Sequence, residues 1–358
     1  MKNFKAFLYI VMPLLIAVPA SAYSFSVQTW EQGLRASLNT GKTDLTPFFD
    51  LTKIEKSALA IPESADRKNM QTARELYAQG QFDAAIQKYN LIEKGSDYWL
   101  EALEEKAWAY HLENNFEKSL AQTKTLLAEP LVQVVGSEPF FLQSLSNLKI
   151  CDYKSIFTTH QEFKDTQRER ISAIETLAHT GASPAIQNVI TKADSFPLTF
   201  AQVGVEAKTL PLLFYRDLEV QKRLMQVKLT DRGIALIQER MTAANDADKT
   251  KLAKTVELLK KSNASGVTQL KNRLQALAKI EDQKNRLMLQ KLGLIEVETI
   301  QRMHADKDMN RKDFSEGKFS KVDANQLVFP DDGRPWMDEL DKYEVSTNAC
   351  PRNVRRKM

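Results

Sequence analysis

Four histidines, two cysteines and the glutamate pair Glu104-Glu105 are the side chains with which this sequence could do chemistry. A helical zinc site of the His-Glu-x-x-His type needs two histidines one turn apart, so that both rings reach one ion. His111, His160, His179 and His304 are scattered and never take that spacing. Gly-x-Ser-x-Gly, which would expose a serine nucleophile, is absent, as is the phosphate-cradling Gly-x-x-x-x-Gly-Lys-Ser/Thr. Glu104 and Glu105 lie near aromatic residues, the minimum for acid–base cleavage of a wall polysaccharide. On a chain that is 27% charged, however, such a pair more often marks a solvated helix face. Cys151 and Cys350 are too few for a disulfide-dense scaffold or a four-thiolate zinc site. No metal or cofactor is expected. The sequon Asn263-Ala-Ser265 is given no role.

The elements that must position these residues are helical. Only 12 Gly and 12 Pro occur in 358 residues, too few for the many tight turns of a sandwich or barrel. Hydrophobic residues at 43% suffice for a core, and the length suggests two or three modules. A net charge of +4 does not by itself indicate nucleic-acid binding. Lys2 and Lys5, the apolar run Ala6–Val18 and Ala20-Ser21-Ala22 form a cleavable secretory signal over residues 1–22. The run is shorter than the roughly 20 residues of a spanning helix and contains Pro13. No cysteine follows it to carry a lipid. A periplasmic address is expected, with no transmembrane segment after cleavage.

An internal echo appears at 34 residues. Ala73, Leu76, Gly80, Phe82, Ala85 and Ile92 fall on Ala107, Tyr110, Asn114, Phe116, Ser119 and Leu126. Small meets small, large apolar meets large, and the turn holds Gly and then Asn, the residues that best accept a left-handed backbone. A degenerate third unit follows at an offset of 37, with Cys151, Tyr153, Ser144 and Ile156 in register. Three units are about the minimum for a stable array. The pattern resembles the tetratricopeptide repeat; an ordinary antiparallel bundle is the alternative. The resemblance implies a groove lined by the first helix of each unit. It maps to Met70, Arg74 and Tyr77, then Glu104, Trp108 and His111, then Phe141, Leu145 and Leu148. Tyr77 and Trp108 are the expected anchors, since aromatics dominate interface energies. Phe141 and Leu145 fit core as well as groove.

Downstream, apolar residues recur at three- and four-residue steps from Leu252 through Met303. The cluster Ala243–Asp248 should break this section into a long helical hairpin, roughly 212–242 against 249–305. A weaker kink is expected near Asn263–Gly266. Residues 249–291 carry nine Lys and two Arg against Glu257, Glu281 and Asp282. That suits an acidic partner or an anionic surface, the alternative being a solvated helix face. Nucleic acid is not expected, because stacking aromatics are missing there.

The end of the chain, Phe329–Tyr343, places Trp336, Leu340 and Tyr343 on one face and precedes Cys350. It reads as a strap docking on the helical body. Together with the signal, Tyr98-Trp99, Trp108 and the cysteine at the third turn, it makes the chain similar to exported tetratricopeptide proteins of predatory (Bdellovibrio-type) and gliding deltaproteobacteria. Some of these are associated with gliding motility. An oxidising compartment and an even count favour a Cys151–Cys350 disulfide; two unrelated thiols are the alternative.

The expected layout is all-α. A signal (1–22) and an N-terminal segment (23–66) precede repeat hairpins (67–205), a long helical hairpin (206–310) and the strap (311–358). The function expected is a non-catalytic periplasmic scaffold that holds envelope proteins in its groove. The alternative is a peptidoglycan-active enzyme or an activator of one.

Overall fold

The computed structural model describes residues 25–59, 64–129 and 131–305, with Val345. The segments expected to be the signal and the strap lie outside the described residues, Val345 excepted. The chain is all-α. Helices α1 (Val27–Asn39), α2 (Thr46–Phe49) and α3 (Leu51–Ala58) open it. Next come α4 (Ala65–Ala78), α5 (Phe82–Tyr89), α6 (Trp99–Leu112), α7 (Phe116–Leu126), α8 (Glu138–Lys149) and α9 (Tyr153–Thr180). The last four are α10 (Pro184–Lys192), α11 (Phe200–Val203), α12 (Leu218–Met241) and α13 (Asp246–Ala305). The sheet among the described residues is one antiparallel pair, Phe25–Ser26 against Ser195–Phe196.

Three hairpins, α4/α5, α6/α7 and α8/α9, share one turn. Gly80 (φ 75°), Asn114 (φ 61°) and Cys151 (φ 63°) all sit in the left-handed region, at the 34- and 37-residue offsets. The residue after each donates its N–H back across the turn, Gln81 to Leu76, Asn115 to Tyr110 and Asp152 to Asn147, at 2.9, 2.9 and 3.0 Å. These bonds satisfy carbonyls orphaned at the end of each first helix. Asn115 and Asp152 then cap the following helix, accepting from Lys118 and Ser155. Ala73, Ala107 and Ser144 on the first helices and Ala85, Ser119 and Ile156 on the second are all fully buried, with Ala73 and Ala85 in one cluster. After the turn, Phe82 and Phe116 stand edge-on to Tyr77 and His111, with centroids 5.3 and 5.2 Å apart.

Helix α13 is the splint of the molecule. Its 60 residues would span about 90 Å. The expected break before it falls between Met241 and Asp246, but the helix runs unbroken through Asn263–Gly266. There Asn263 bonds Thr230 and Asp231 (2.9 and 2.7 Å) rather than ending a helix. The first half of α13 packs antiparallel to α12. The second half packs antiparallel to α9, from Gln275 beside Ala178 to Glu296 beside His160, and Arg302 near its end reaches the Leu148 carbonyl of α8. The long helix is thus laid along the body rather than projecting from it.

A large core joins α1, α3, α9, α10 and α12 to the first half of α13, centred on Leu34, Ile174, Phe196, Phe214, Leu224 and Leu274. Gly233 of α12 lies under Phe49, whose ring would stand 2.5 Å from an added Cβ. Arg170 and Glu281, with side chains 4% and 9% exposed, form a buried pair at 2.7 Å. The guanidinium also donates to the carbonyls of Ala207, Lys208 and Leu210, and Glu281 accepts from the Leu212 N–H. This network pins the irregular segment 204–216 to α9 and α13. No helix of the described residues is long and apolar enough to cross a membrane.

Candidate functional site

The first helices of the hairpins, α4, α6 and α8, are linked by a repeated contact. Arg74 of α4 donates to Glu101 (3.1 Å) and to both oxygens of Glu105 on α6. Trp108, at the equivalent position 34 residues on, donates its indole N–H to Glu138 of α8 at 2.8 Å. Glu101 and Glu138 are themselves equivalent at the 37-residue offset. Each unit thus reaches the carboxylate at the start of the next unit's first helix. Glu105 also accepts from the Tyr89 hydroxyl at 2.7 Å, and Arg216, from the segment before α12, pairs with Glu101 and lies over the Tyr98 ring.

Between these contacts lies Glu104, half-buried. Burial pushes its carboxyl up to about 8, and Glu138, Glu105 and Glu101 add to the rise. Lys284 of α13 opposes it. Glu104 therefore holds its proton to a higher pH than an ordinary glutamate, and in that form it can donate a hydrogen bond. Tyr77 is half-buried too, and burial together with Glu105 and Glu138 raises its phenol. Arg74 is held in its charged form, above all by its bonds to Glu105.

The expected groove set is only partly brought together. Arg74, Tyr77, Glu104 and Trp108 form the exposed or half-buried strip just described. Met70 does not join it: it is 1% exposed, packed on Ala85, Tyr89 and Ala102. His111 is buried as well, its Nδ1 2.9 Å from the Ser146 hydroxyl, which lies 3.2 Å from Ser119. Burial lowers its imidazole to about 4, so it is a neutral core residue. Phe141, Leu145 and Leu148 are covered by the chain's own α13. They cluster with Ile295 and Met303, Lys291 sits 5.0 Å from the Phe141 ring, and Arg302 donates to the Leu148 carbonyl. In the third unit the expected groove face is thus an intramolecular interface.

Glu101 and Glu138, which sequence reasoning missed, share the 37-residue offset, and that offset could have found them. Cys151 is buried at the third turn, and no free cysteine is found among the described residues. Cys350, its expected partner, lies outside the described residues. No group of three or more His, Cys, Asp or Glu among the described residues is placed to hold a metal ion. Part of the positive charge of α13 is spent within the fold, Arg273 on Asp217 and Arg286 on Glu175 and Asp282. No protein-family model matches the chain, and no curated protein or solved structure matches it either.

Proposed function

We propose that the chain is a non-catalytic adaptor of the bacterial envelope, built on tetratricopeptide-type repeats, that holds a partner segment against the first helices of its first two units. The observation that carries this reading is the strip Arg74–Tyr77–Glu104–Trp108. It is left at the surface where the equivalent face of the third unit is covered by α13. The three left-handed turns in register support the repeat assignment. Glu101, Glu105 and Glu138 outnumber Arg74 and Arg216, so the favoured occupant is a peptide or helix with a cationic side chain for the carboxylate left over. An apolar side chain on the same segment would meet Trp108 and Tyr77. Export by the signal at residues 1–22 and service in an envelope complex such as a gliding machinery belong to the same proposal.

The test is recovery of partners from envelope extracts by the full chain and by Trp108→Ala. The half-buried ring should cost about 2 kcal/mol of binding when truncated, roughly a thirtyfold loss of affinity. Equal recovery by a folded Trp108→Ala removes the groove from the function.

The protonated Glu104 beside Trp108 favours a second reading, a wall-polysaccharide enzyme with Glu104 as its acid. Zymography separates the two. A cleared band from the wild type that disappears with Glu104→Gln would establish the enzyme.

A further inference from the structure

The second half of α13 is apolar on two sides. One side is used: Leu274, Ala278, Met288, Leu292 and Ile295 are buried. The other is bare. Ile280, Leu287, Leu294 and Val297 are 55%, 46%, 69% and 53% exposed. The first three are seven residues apart, so they drift only about 20° per step and form one stripe. Val297, one turn beyond Leu294, widens the stripe at one end, and four large aliphatic side chains grouped so amount to more than scattered exposure. Lys279 and Arg286 flank the stripe on one side, Lys284 and Lys291 on the other; Arg286 already pairs with Glu175 and Asp282 and Lys291 lies over the Phe141 ring, which leaves Lys279 and Lys284 as the bases an acidic segment would meet.

The chain itself contains a segment that matches. Residues 329–343 carry Phe329, then Trp336, Leu340 and Tyr343 spaced to share a helical face. They also carry Asp331, Asp332, Asp338, Glu339 and Asp341 against Arg334 and Lys342, an acidic excess where the stripe is flanked by bases. Reach is ample. The described helix ends at Ala305, about 12 Å beyond Val297 and about 38 Å beyond Ile280. The 24 residues from there to Phe329 can span up to ~80 Å. At the other end, Tyr343 is seven residues, at most ~24 Å, from Cys350. The disulfide expected from the sequence would hold Cys350 at Cys151, which packs with Ile295 and Met303 of α13.

We propose that residues 329–343 dock on the Ile280–Leu287–Leu294–Val297 stripe, with Trp336 and Leu340 between the flanking bases, so that the end of the chain covers the outer face of α13. This docking does not depend on the groove of the first two units.

Hydrogen exchange read by mass spectrometry on the full, non-reduced chain tests it. Peptides covering 329–343 should exchange at least tenfold more slowly than an unstructured chain. Leu287→Asp/Leu294→Asp, on side chains 46% and 69% exposed, should abolish that protection and leave the α1–α12 peptides unchanged. Trp336→Ala, made at the other partner, should abolish the same protection. Full-speed exchange of 329–343 in the wild type overturns the proposal. So does protection that survives Leu287→Asp/Leu294→Asp. Sedimentation of the same samples supplies a further arm. A dimer dispersed by Leu287→Asp/Leu294→Asp, with 329–343 unprotected throughout, would assign the stripe to a second copy and refute docking of the tail.

Discussion

Replacing Arg170 by methionine should damage this fold more than any other single change at a charged residue. Its guanidinium is buried between α9, α13 and segment 204–216, and it makes five bonds there: two to one Glu281 oxygen, at 3.1 and 2.7 Å, and one each to the carbonyls of Ala207, Lys208 and Leu210. Methionine fills much of the volume and makes none of these bonds. Glu281 would keep only the Leu212 N–H, at 2.7 Å, as compensation for a buried charge. Removing one partner of a buried pair costs about 3–5 kcal/mol, and the three stranded carbonyls argue for the upper half of that range. At roughly 2–4 °C per kcal/mol for a large domain, Tm should fall by roughly 8–20 °C. Urea unfolding followed by circular dichroism gives the free energy, and hydrogen exchange of 204–212 shows where it is lost. The double variant Arg170→Met/Glu281→Met removes the orphaned charge, so it should recover part of the loss but not the part owed to the three carbonyls. A loss below about 1 kcal/mol for Arg170→Met, or unchanged exchange in 204–212, would refute the view that this network anchors the segment.

Two pH predictions follow from burial. The Glu104 carboxyl titrates near 8 in the fold against an ordinary value of 4.5, so the stability it contributes is full below about 4.5 and is lost as pH rises through 8. The urea midpoint of wild type relative to Glu104→Gln should therefore decline between pH 5 and 8, and a flat difference contradicts the burial argument. His111 has the opposite sign. With its imidazole lowered from 6.5 to about 4, its contribution is full above 6.5 and lost toward pH 4. His111→Gln should flatten that acid limb, and an unchanged limb would place the titration elsewhere. Gly233→Ala should destabilise by about 1–3 kcal/mol, because the Phe49 ring has no room for the methyl group; a neutral result in thermal melts would mean that ring moves freely.

The hairpins were legible in the sequence because their requirements are local. A left-handed turn selects Gly or Asn, a close crossing selects Ala or Ser, and both leave their mark at fixed spacing. Cys151 was the least obvious of the three turn residues, yet it takes the same backbone conformation as Gly80 and Asn114. The break before α13 was legible for the same reason: Asn245 and Asp248 supply local capping chemistry, with Asn245 accepting from the Asp248 N–H at 2.8 Å. Which of the expected groove residues stay at the surface was only half legible. Transferring a position from repeat to repeat tells which way a side chain points, not what comes to cover it. Met70 is covered by its own hairpin and α6. Phe141, Leu145 and Leu148 are covered by a helix some 150 residues downstream in the chain. Arg170 and Glu281 are 111 residues apart, and no periodicity links them.

The covering helix also changes what the hairpins can do. Leu292 packs with Val132, Phe140 and Phe163, and Ile295 with Leu148, Cys151, Tyr153 and Ile156, while Leu252 through Ala278 of the same helix belong to the large core. One continuous helix therefore belongs to both bodies of the protein. A helix that long is not stable on propensity alone and depends on those contacts along its length. The third unit, whose second helix α9 is itself shared with the large core, is fixed by α13, which covers Phe141, Leu145 and Leu148. The first unit has no such splint: its own core is small, Met70, Ala73, Ala85, Tyr89, Ile92 and Ala102, and it leans on α6 through the Arg74 bonds. A partner segment that binds Arg74, Tyr77, Glu104 and Trp108 would bridge α4 and α6. Binding energy would thus be returned as order in a unit that α13 does not splint, and protection of α4 and α5 against exchange is where such binding should be visible.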